Sequence, residues 1–298
     1  MSSLVNKRVI ITGASQGLGK QIALHFMAEG ASVSICSRSE GDLEDALQEL
    51  RSSQLTGLGA AAAPIFGSTC DVSKADDVAR FIREATEALG GVDVLINNAG
   101  IVGPIGRIEE VDYADWIKTL EINLLGVVHT CRQVIPLLKQ NSATQGARGK
   151  IINISGGGAT NPMPRCSSYA ASKAAVVRIT ETMAEELREF GIDVNAVAPG
   201  AMRTRMMQQV LEAGPEKAGE DYYKRNVKWM EEGATPPDLG AKLCAFLASD
   251  QSNGITGKLI SAQWDPWTTL SEHVEDLRSD IYTLRRIVPE DRGKSFGS

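Results

Sequence analysis

The residues best suited to acid–base chemistry in this chain of 298 residues are Tyr169 and Lys173, which lie four positions apart. They belong to the run Ser-Tyr-Ala-Ala-Ser-Lys (residues 168–173), which opens a long helical pattern. Both side chains therefore leave the same face of a helix. A phenol with an ordinary pKa of about 10 carries protons poorly near neutral pH, but a nearby ammonium favours the phenolate and lowers that pKa. The spacing predicts that Tyr169 exchanges a proton with a substrate and that Lys173 assists it.

A glycine-rich turn follows the first apolar run. Residues 9–11 read Val-Ile-Ile and lead into Thr-Gly-Ala-Ser-Gln-Gly-Leu-Gly (residues 12–19), after which an amphipathic helix begins. Glycines at these positions permit a tight turn, a close backbone approach to a pyrophosphate and close packing of helix on strand, while the helix N-terminus supplies N–H donors. The pattern predicts a dinucleotide site with contacts from Gly13, Ser15, Gln16, Gly17, Leu18 and Gly19.

The end of the second predicted strand bears on the choice of dinucleotide. An NAD-selective site ordinarily places an acidic residue there to accept a hydrogen bond from the ribose 2′-OH. This chain instead reads Ser-Arg-Ser (residues 37–39), and the planar donor fork of Arg38 suits a 2′-phosphate. NADP(H) is the predicted cofactor, and NAD(H) stays possible because a solvated surface arginine would give the same pattern.

The elements that would position these residues alternate between short apolar runs and longer helical patterns. Runs such as residues 94–96 and 151–154 are apolar on both faces, as in the central strands of a parallel sheet covered on both sides. The predicted fold is a single doubly wound, Rossmann-like α/β domain over residues 1–262, followed by a C-terminal tail over 263–298. The predicted strands span 8–12, 32–37, 92–97, 150–155, 193–198 and 258–262; the predicted helices span 19–29, 42–51, 74–89, 113–140, 168–190 and 237–248, with a helix-like stretch over 271–280 in the tail.

Composition and charge restrict the classes of partner. A formal net charge of -6 and a pI near 5.3 argue against a clustered basic face for nucleic acid or an anionic membrane, so a small molecule is the expected partner. Five cysteines are scattered without ligand spacing, so we expect reduced thiols and no metal site. Neither a leader peptide nor a membrane-spanning run is evident, which predicts a cytoplasmic protein.

Several further motifs in family order make the chain resemble the short-chain dehydrogenase/reductase family over about residues 5–262. They are the glycine turn at 12–19, Asp71-Val72, Asn97-Asn98-Ala99-Gly100, Asn123, the Tyr169/Lys173 pair and Pro199-Gly200 followed by Thr204. The match is similar to the group that contains β-ketoacyl-acyl-carrier-protein reductases and various sugar, steroid and secondary-alcohol dehydrogenases. The resemblance implies an NADP(H)-dependent oxidoreductase that acts on CH–OH groups, and helices like 113–140 and 168–190 form homodimer or homotetramer interfaces in this family.

The resemblance also implies a role for each matching residue. Tyr169 would be the general acid/base, Lys173 would bind the nicotinamide ribose and lower the phenol pKa, and Asn123 would hold a water in a proton relay. The remaining matches would contact the cofactor: Asp71 and Val72 at the adenine, Asn98, Ala99 and Gly100 as support, and Pro199, Gly200 and Thr204 around the carboxamide. A buried helix asparagine satisfied locally is the alternative for Asn123.

Two departures from the family pattern stand out. Relatives usually carry a serine thirteen positions before the tyrosine, where this chain has Gly156. Ser155, one position earlier in a flexible Ser-Gly-Gly-Gly stretch, is the predicted replacement. Otherwise the hydrogen-bond donor to the substrate carbonyl is absent or comes from Asn161, Ser167 or a water.

The second departure is at the far end of the chain. Residues 264–267 read Trp-Asp-Pro-Trp, which could cover the active-site mouth, pack on a neighbouring subunit or cap the sheet edge.

Residues 201–235 lie where the family carries a mobile substrate lid. Arg203 and Arg205 in this segment are compatible with an anionic substrate.

Two rival functions remain. Gly156 at the serine position would suit a nucleotide-binding regulatory or scaffold protein with weakened catalysis, although the presence of Tyr169, Lys173 and Asn123 speaks against it. An enzyme that uses a bound dinucleotide for epimerisation or dehydration is the other, and the short chain without a second substrate domain weighs against that.

Overall fold

Seven parallel strands form one sheet in the computed structural model, which describes residues 4–56, 63–145 and 148–295. Their spatial order is β3-β2-β1-β4-β5-β6-β7. The strands are β1 Arg8–Thr12, β2 Ser32–Ser37, β3 Ile65–Thr69, β4 Val94–Asn97, β5 Gly149–Ile154, β6 Ile192–Ala198 and β7 Leu259–Ser261. Because all of them are parallel, their carboxyl ends meet at one edge of the sheet, and the chain reverses its direction of progress between β1 and β4.

Helices cover both faces of this sheet. They are α1 Gly17–Ala28, α2 Glu40–Thr56, α3 Ala75–Leu89, α4 Tyr113–Leu120, α5 Gly126–Gln145, α6 Ser167–Leu187, α7 Arg205–Ala218, α8 Glu220–Glu232 and α9 Pro237–Ala248. A π-helical turn, Glu121–Leu125, joins α4 to α5. Val9 and Ile11 of β1 are buried with α1, α2 and α9, whereas Ile10 between them is buried with α3, α5 and α6. This alternation gives two apolar clusters and confirms the predicted doubly wound fold.

The structure differs from the predicted elements at several points, and α7 and α8 were not predicted. Strand β3 was not predicted, because its residues Ile-Phe-Gly-Ser-Thr are only partly buried at the sheet edge and lack a strong apolar pattern. The segment predicted as one helix over 113–140 is interrupted by the π-helical turn. The helix predicted over 271–280 is wrong: the tail there forms the short 3₁₀ turns Trp267–His273 and Asp276–Arg278.

The tail packs along the β7 edge of the sheet. Lys258 Nζ donates to the carbonyl oxygens of Ser279 at 2.7 Å and Ile281 at 3.0 Å, and Leu259 N–H donates to the Tyr282 carbonyl at 2.8 Å. Trp267 lies 6.0 Å from Phe246 of α9 between ring centroids. Of the three roles open to the tail, this geometry favours edge capping for the described residues up to 295, while Trp264 is 78% exposed.

Candidate active site

The glycine turn after β1 is locked against the end of β4. Gly13 has a φ of +63°, and a Cβ added there would lie 2.7 Å from Ala99 Cα. The Asn98 amide donates to the carbonyl oxygens of Thr12 at 3.0 Å and Gly13 at 2.8 Å. An added Cβ at Gly19 would lie 2.4 Å from that amide nitrogen. Only glycine fits at these two positions, so the motif residues Asn98 and Ala99 shape the turn directly.

Space opens on the other side of this turn. Gly17 has a φ of +56°, and an added Cβ would meet only Thr204 Cγ2, at 3.9 Å. The N-terminus of α1 has no side-chain cap from Gln16 and no acidic residue in its first turn. Unfilled N–H groups and the positive end of the helix dipole suit a pyrophosphate in this space. The residues therefore fit a dinucleotide, with Thr204 on the far wall of this space.

The end of β2 presents a polar, positively charged surface next to the turn. Ser15 Oγ donates to Ser37 Oγ at 3.0 Å, and Arg38 beside them is exposed. Burial opposes ionisation of Asp71, but hydrogen bonds from Ser73 and the nearby charges of Arg38 and Lys74 hold its pKa below the ordinary value. Arg38 thus lies close to the Asp71 carboxylate at the end of β3, and no ion pair of Arg38 is found in the described part of the chain.

Val72, the neighbour of Asp71, is buried beneath this surface. Only 5% of it is exposed, and its side chain packs so closely on Gly126 that an added Cβ there would lie 2.8 Å from Val72 Cγ2. The Val72 carbonyl oxygen lies 3.0 Å from His129 Nδ1. The start of α5 therefore fixes the segment that the sequence assigns to the adenine.

Tyr169 and Lys173 occupy successive turns of α6 at the carboxyl edge of the sheet. Lys173 is 4% exposed, its Nζ donates to the Ile154 carbonyl at 2.7 Å, and it lies 5.7 Å from the centroid of the Tyr169 ring. Burial lowers the pKa of Lys173 to about 8. Burial also raises the pKa of Tyr169, with smaller contributions from Tyr222 and Cys166. The pKa of the phenol is therefore shifted in the direction opposite to the lowering expected from Lys173, and burial is the main cause.

Asn123 lies in the π-helical turn and is fully buried. Its Oδ1 accepts from Ile101 N–H at 2.8 Å, and its Nδ2 donates to the Ile101 carbonyl at 2.9 Å and to Ser172 Oγ at 3.1 Å. An added Cβ at Gly100 would lie 3.2 Å from Asn123 Oδ1 and 3.6 Å from Lys173 Nζ. Asn123 therefore ties the loop after β4 to α6, beside Lys173, and π-helical turns of this kind are frequent at functional sites.

Gly156, rather than Ser155, faces the phenol. A Cβ added at Gly156 would lie 2.6 Å from Tyr169 Oη. Ser155 continues the β5 ladder through a hydrogen bond from its N–H to the Val197 carbonyl at 2.8 Å, and side chains of adjacent residues in an extended chain point to opposite faces. Its buried Oγ has no hydrogen-bond partner in the described structure. Ser155 as the replacement donor stays a prediction, and it would require a local rearrangement.

A buried polar chain behind the site was not recognised from the sequence. Thr130 Oγ1 donates to Asn97 Oδ1 at 2.6 Å, Asn97 Nδ2 donates to Asn153 Oδ1 at 2.8 Å, and Asn153 Nδ2 donates to Thr180 Oγ1 at 2.8 Å. These residues link α5, β4, β5 and α6. The signal was available, because an asparagine ends or interrupts each of two apolar strands that pair in register. The chain fixes the strand ends from which Asn98 and Ser155 follow.

The segment after β6 forms the remaining wall. Gly200 has a φ of +92°, and an added Cβ would lie 2.5 Å from Thr235 Oγ1, so the chain before α9 packs directly on the Pro199-Gly200 motif. Arg203 donates to the Met230 carbonyl at 2.6 Å and fastens the end of α8. Arg205 is exposed at the start of α7. Neither of these two arginines is directed by a described contact toward Tyr169.

A cleft of about 450 Å³ lies at the loop that leads into α6, two residues before Tyr169. Residues 106–109 and 163–165, together with Ser167, line it. The two loops are joined by a hydrogen bond from Gly106 N–H to the Arg165 carbonyl at 2.9 Å. Trp116 of α4 donates from Nε1 to Ser167 Oγ at 3.0 Å. The cleft is shallow and open to solvent.

Metal and membrane features can be reported for the described ranges only. No group of three or more histidine, cysteine, aspartate or glutamate side chains is arranged to hold a metal ion between residues 4 and 295, outside 57–62 and 146–147. Over those same ranges, no helix combines the length and the apolar character needed to cross a bilayer.

Comparisons with known proteins identify the family. A family model described as short chain dehydrogenase matches residues 7–214. The chain is 39% identical to 3beta-hydroxysteroid dehydrogenase 1 of Eggerthella lenta over 261 residues, which cover 86% of this chain and 92% of the relative. It is 35% identical to a 3-oxoacyl-acyl-carrier-protein reductase of Staphylococcus epidermidis over 268 residues, with 86% and 97% coverage.

Solved structures give the same result. A variant of actinorhodin polyketide ketoreductase with NADPH superimposes with a TM-score of 0.74 at 29% identity, covering 86% of this chain and 95% of the other. NAD⁺-bound xylitol dehydrogenase superimposes with a TM-score of 0.74 at 26% identity, with 87% and 98% coverage. Both nicotinamide cofactors are therefore represented among the structural neighbours.

Proposed function

The chain belongs to the short-chain dehydrogenase family, as its sequence predicts, and on that premise we propose that it transfers a hydride between NADP(H) and an alcohol or carbonyl substrate, with Tyr169 as general acid/base. One observation supports this proposal most strongly. Tyr169 and the buried Lys173 lie one helical turn apart beside Asn123, at the same sheet edge as the glycine turn. Oxidoreductases of this family act on CH–OH and carbonyl groups, and the substrate within that class is open.

The protein's own residues account for the proton. A bound nicotinamide supplies the hydride in reduction and accepts it in oxidation. Tyr169, whose pKa is raised by burial, holds its proton near neutral pH and donates it from Oη to a carbonyl oxygen that gains negative charge. Lys173, with a pKa lowered to about 8, lies close enough to favour the phenolate that remains, and it can return a proton to it.

The other motif residues hold the cofactor and the relay in this proposal. Gly13, Gly17 and Gly19 shape the pyrophosphate space, with Ser15, Gln16 and Leu18 completing the turn. Asp71 and Val72 would border the adenine, Asn98, Ala99 and Gly100 would support the cofactor, and Pro199, Gly200 and Thr204 would surround the carboxamide. Asn123 positions Ile101 and Ser172 directly, and its part in a water relay would depend on that placement.

Selection of NADP(H) over NAD(H) is assigned to Arg38. Its guanidinium is exposed at the end of β2, where a 2′-phosphate would need a donor, and its charge is not matched by an ion pair in the described structure. Titration of wild type and Arg38→Ala with NADPH and NADH, followed by nicotinamide fluorescence, tests this. We expect wild type to prefer NADPH and the variant to lose about 10- to 100-fold in NADPH affinity while binding NADH unchanged.

The outcomes of this titration are distinct. Equal NADPH binding by wild type and Arg38→Ala would reject the role of Arg38 but leave the oxidoreductase proposal standing. If neither nucleotide binds, the assignment of the glycine turn to a dinucleotide fails, and the oxidoreductase proposal fails too.

One observation favours a second candidate, a nucleotide-binding regulatory or scaffold protein. Gly156 faces Tyr169 Oη, and no hydrogen bond of Ser155 to the phenol is found in the described structure. A protein of that kind would bind NADPH without turning over any member of a carbonyl panel. Measurable reduction of one ketone, abolished in Tyr169→Phe, would decide for the enzyme.

A homodimer or homotetramer is also proposed. Tyr113 at the start of α4 is 75% exposed and Leu125 of the π-helical turn is 43% exposed, on helices that the family uses for association. Sedimentation at micromolar concentration should show a species larger than a monomer, and a monomer would reject the proposal.

A further inference from the structure

An arginine that lines this cleft has an unmatched charge. Arg165 lies four residues before Tyr169 and lines the 450 Å³ cleft together with Ser167. The structure shows no carboxylate within ion-pair distance of its guanidinium over the described ranges. Arg107 on the opposite loop differs, because Glu109 and Glu110 lie 3.7 Å and 3.9 Å from its nitrogens. The cleft therefore contains one cation whose charge is already balanced and one whose charge is not.

The backbone holds Arg165 in place. Its φ is +70°, an uncommon left-handed conformation for a non-glycine residue, and its carbonyl accepts the hydrogen bond from Gly106 that joins the two loops. Its side-chain stem runs past Gly219 at the start of α8, where an added Cβ would lie 3.5 Å from Arg165 Cγ. These contacts restrict the backbone and the stem of the side chain, and this reduces the entropy lost when the guanidinium binds a ligand.

The rest of the cleft is largely apolar. Ile108 on one loop is 66% exposed, and Met163 and Pro164 on the other loop line the same space. Glu109 is the acidic lining residue, and it lies next to Arg107. A ligand that matches these walls has an apolar body and one negative charge directed at Arg165. A planar carboxylate suits the guanidinium, which can donate two parallel hydrogen bonds to it.

We propose that this cleft receives carbonyl or alcohol substrates that carry a carboxylate at the end of an apolar chain, and that Arg165 binds the carboxylate while the reacting group lies at Tyr169. The inference rests on the proposed oxidoreductase function and defines its substrate class. Arg165 is then a specificity-determining residue, since it contacts a part of the substrate that does not react.

The test compares a charged ketone with its neutral analogue. Steady-state reduction of an oxooctanoate with a methyl ketone at its far end, and of the methyl ester of that acid, is measured with NADPH in wild type, Arg165→Gln and Arg165→Lys. We expect wild type to favour the acid by about 10-fold or more in kcat/KM, chiefly through KM. Arg165→Gln should lower kcat/KM for the acid by about 10- to 100-fold and leave the ester unchanged, and Arg165→Lys should recover part of the preference.

Two matched variants separate a local contact from a general charge effect. Arg83→Gln removes the same charge from an exposed position on α3, and it should leave both substrates unaffected. Arg107→Gln removes the balanced cation of the cleft and should have the smaller effect. Unchanged NADPH binding and circular dichroism confirm that the variants are folded. If Arg107→Gln abolishes the preference and Arg165→Gln does not, the assignment to Arg165 is overturned.

Failure of this inference and failure of the proposed function give different results. Reduction of ester and acid at equal rates, with no change in Arg165→Gln, would overturn the carboxylate site and leave the oxidoreductase intact. If no ketone is reduced at all, the proposed function fails, and equilibrium binding of octanoate and octanol decides the site alone. Trp116, hydrogen-bonded to Ser167, provides a fluorescence signal at the cleft. Tighter binding of octanoate that disappears in Arg165→Gln supports the site, and equal binding of both ligands rejects it.

Discussion

The nucleotide end and the substrate end of the candidate site are built in different ways. At the nucleotide end, backbone meets backbone so closely that a Cβ at Gly13 would lie 2.7 Å from Ala99 Cα. At the substrate end, Gly157 has nothing within 4 Å of an added Cβ, and the cleft is bounded by side chains such as Met163 and Arg165. The first end depends on backbone-to-backbone contact, whereas the second, where Gly156 faces the Tyr169 hydroxyl, depends on the side chains that surround it. The first can therefore stay constant while the second changes with the substrate.

Removing the phenol hydroxyl should have the largest effect and should separate the two ends most sharply. We expect Tyr169→Phe to lower kcat for carbonyl reduction by about 10²- to 10⁴-fold, because the variant has no proton to donate from that position. NADPH affinity should change little, since the glycine turn and Arg38 are untouched. Stopped-flow reduction and fluorescence titration measure the two quantities. Equal losses in both would show that the ends are not independent.

The same substitution made at each end tests the packing difference. Gly13→Ala should lower the free energy of unfolding by about 2–4 kcal/mol and abolish NADPH binding, because its Cβ meets Ala99 and its φ is +63°. Gly157→Ala is the matched control and should change stability by no more than about 0.5 kcal/mol. Urea unfolding followed by circular dichroism measures both. A tolerated Gly13→Ala would contradict the close approach.

Lys173 lies between the two ends. Its substitution should give the smallest of these effects, and it should raise rather than lower the free energy of unfolding. Burial lowers its pKa from 10.5 to about 8, so the unfolded chain binds this proton more tightly than the folded one. The charge therefore destabilises the fold fully below pH 8, and this cost disappears as the pH rises from about 8 to 10.5. Lys173→Met should stabilise the unliganded protein by about 1–2 kcal/mol at neutral pH while lowering activity.

The pH dependence is the check on that prediction. The stability advantage of Lys173→Met over wild type should shrink between pH 8 and pH 10.5, as measured by urea unfolding at each pH. An advantage that does not depend on pH would point to a packing effect of the methionine instead.

How much could be predicted from the sequence follows the same division. The fold, the glycine turn and the Tyr169/Lys173 pair are predictable, because periodicity, φ requirements and helical spacing are local properties. Strand β3 was missed since its edge position leaves it only partly buried. Three other features depend on residues distant in sequence. They are the approach of Gly156 to Tyr169 Oη, the buried hydrogen bond from Asn97 to Asn153 and the left-handed conformation of Arg165. Of these contacts, only the asparagine link has a signal in the sequence, namely an asparagine in each of two apolar strands.

The tail along β7 affects the order in which parts of the protein can fold during synthesis. Leu270 and Leu277 of the tail are buried in the same cluster as β1, β2 and α9, and Tyr282 accepts the N–H of Leu259. Ribosomes deliver these residues after the rest of the domain, so a nascent chain exposes that apolar surface and an unpaired strand edge until they emerge. The tail thus closes the fold only after the preceding domain has been synthesised, and a chain cut before residue 263 would keep an edge open to pairing with other molecules.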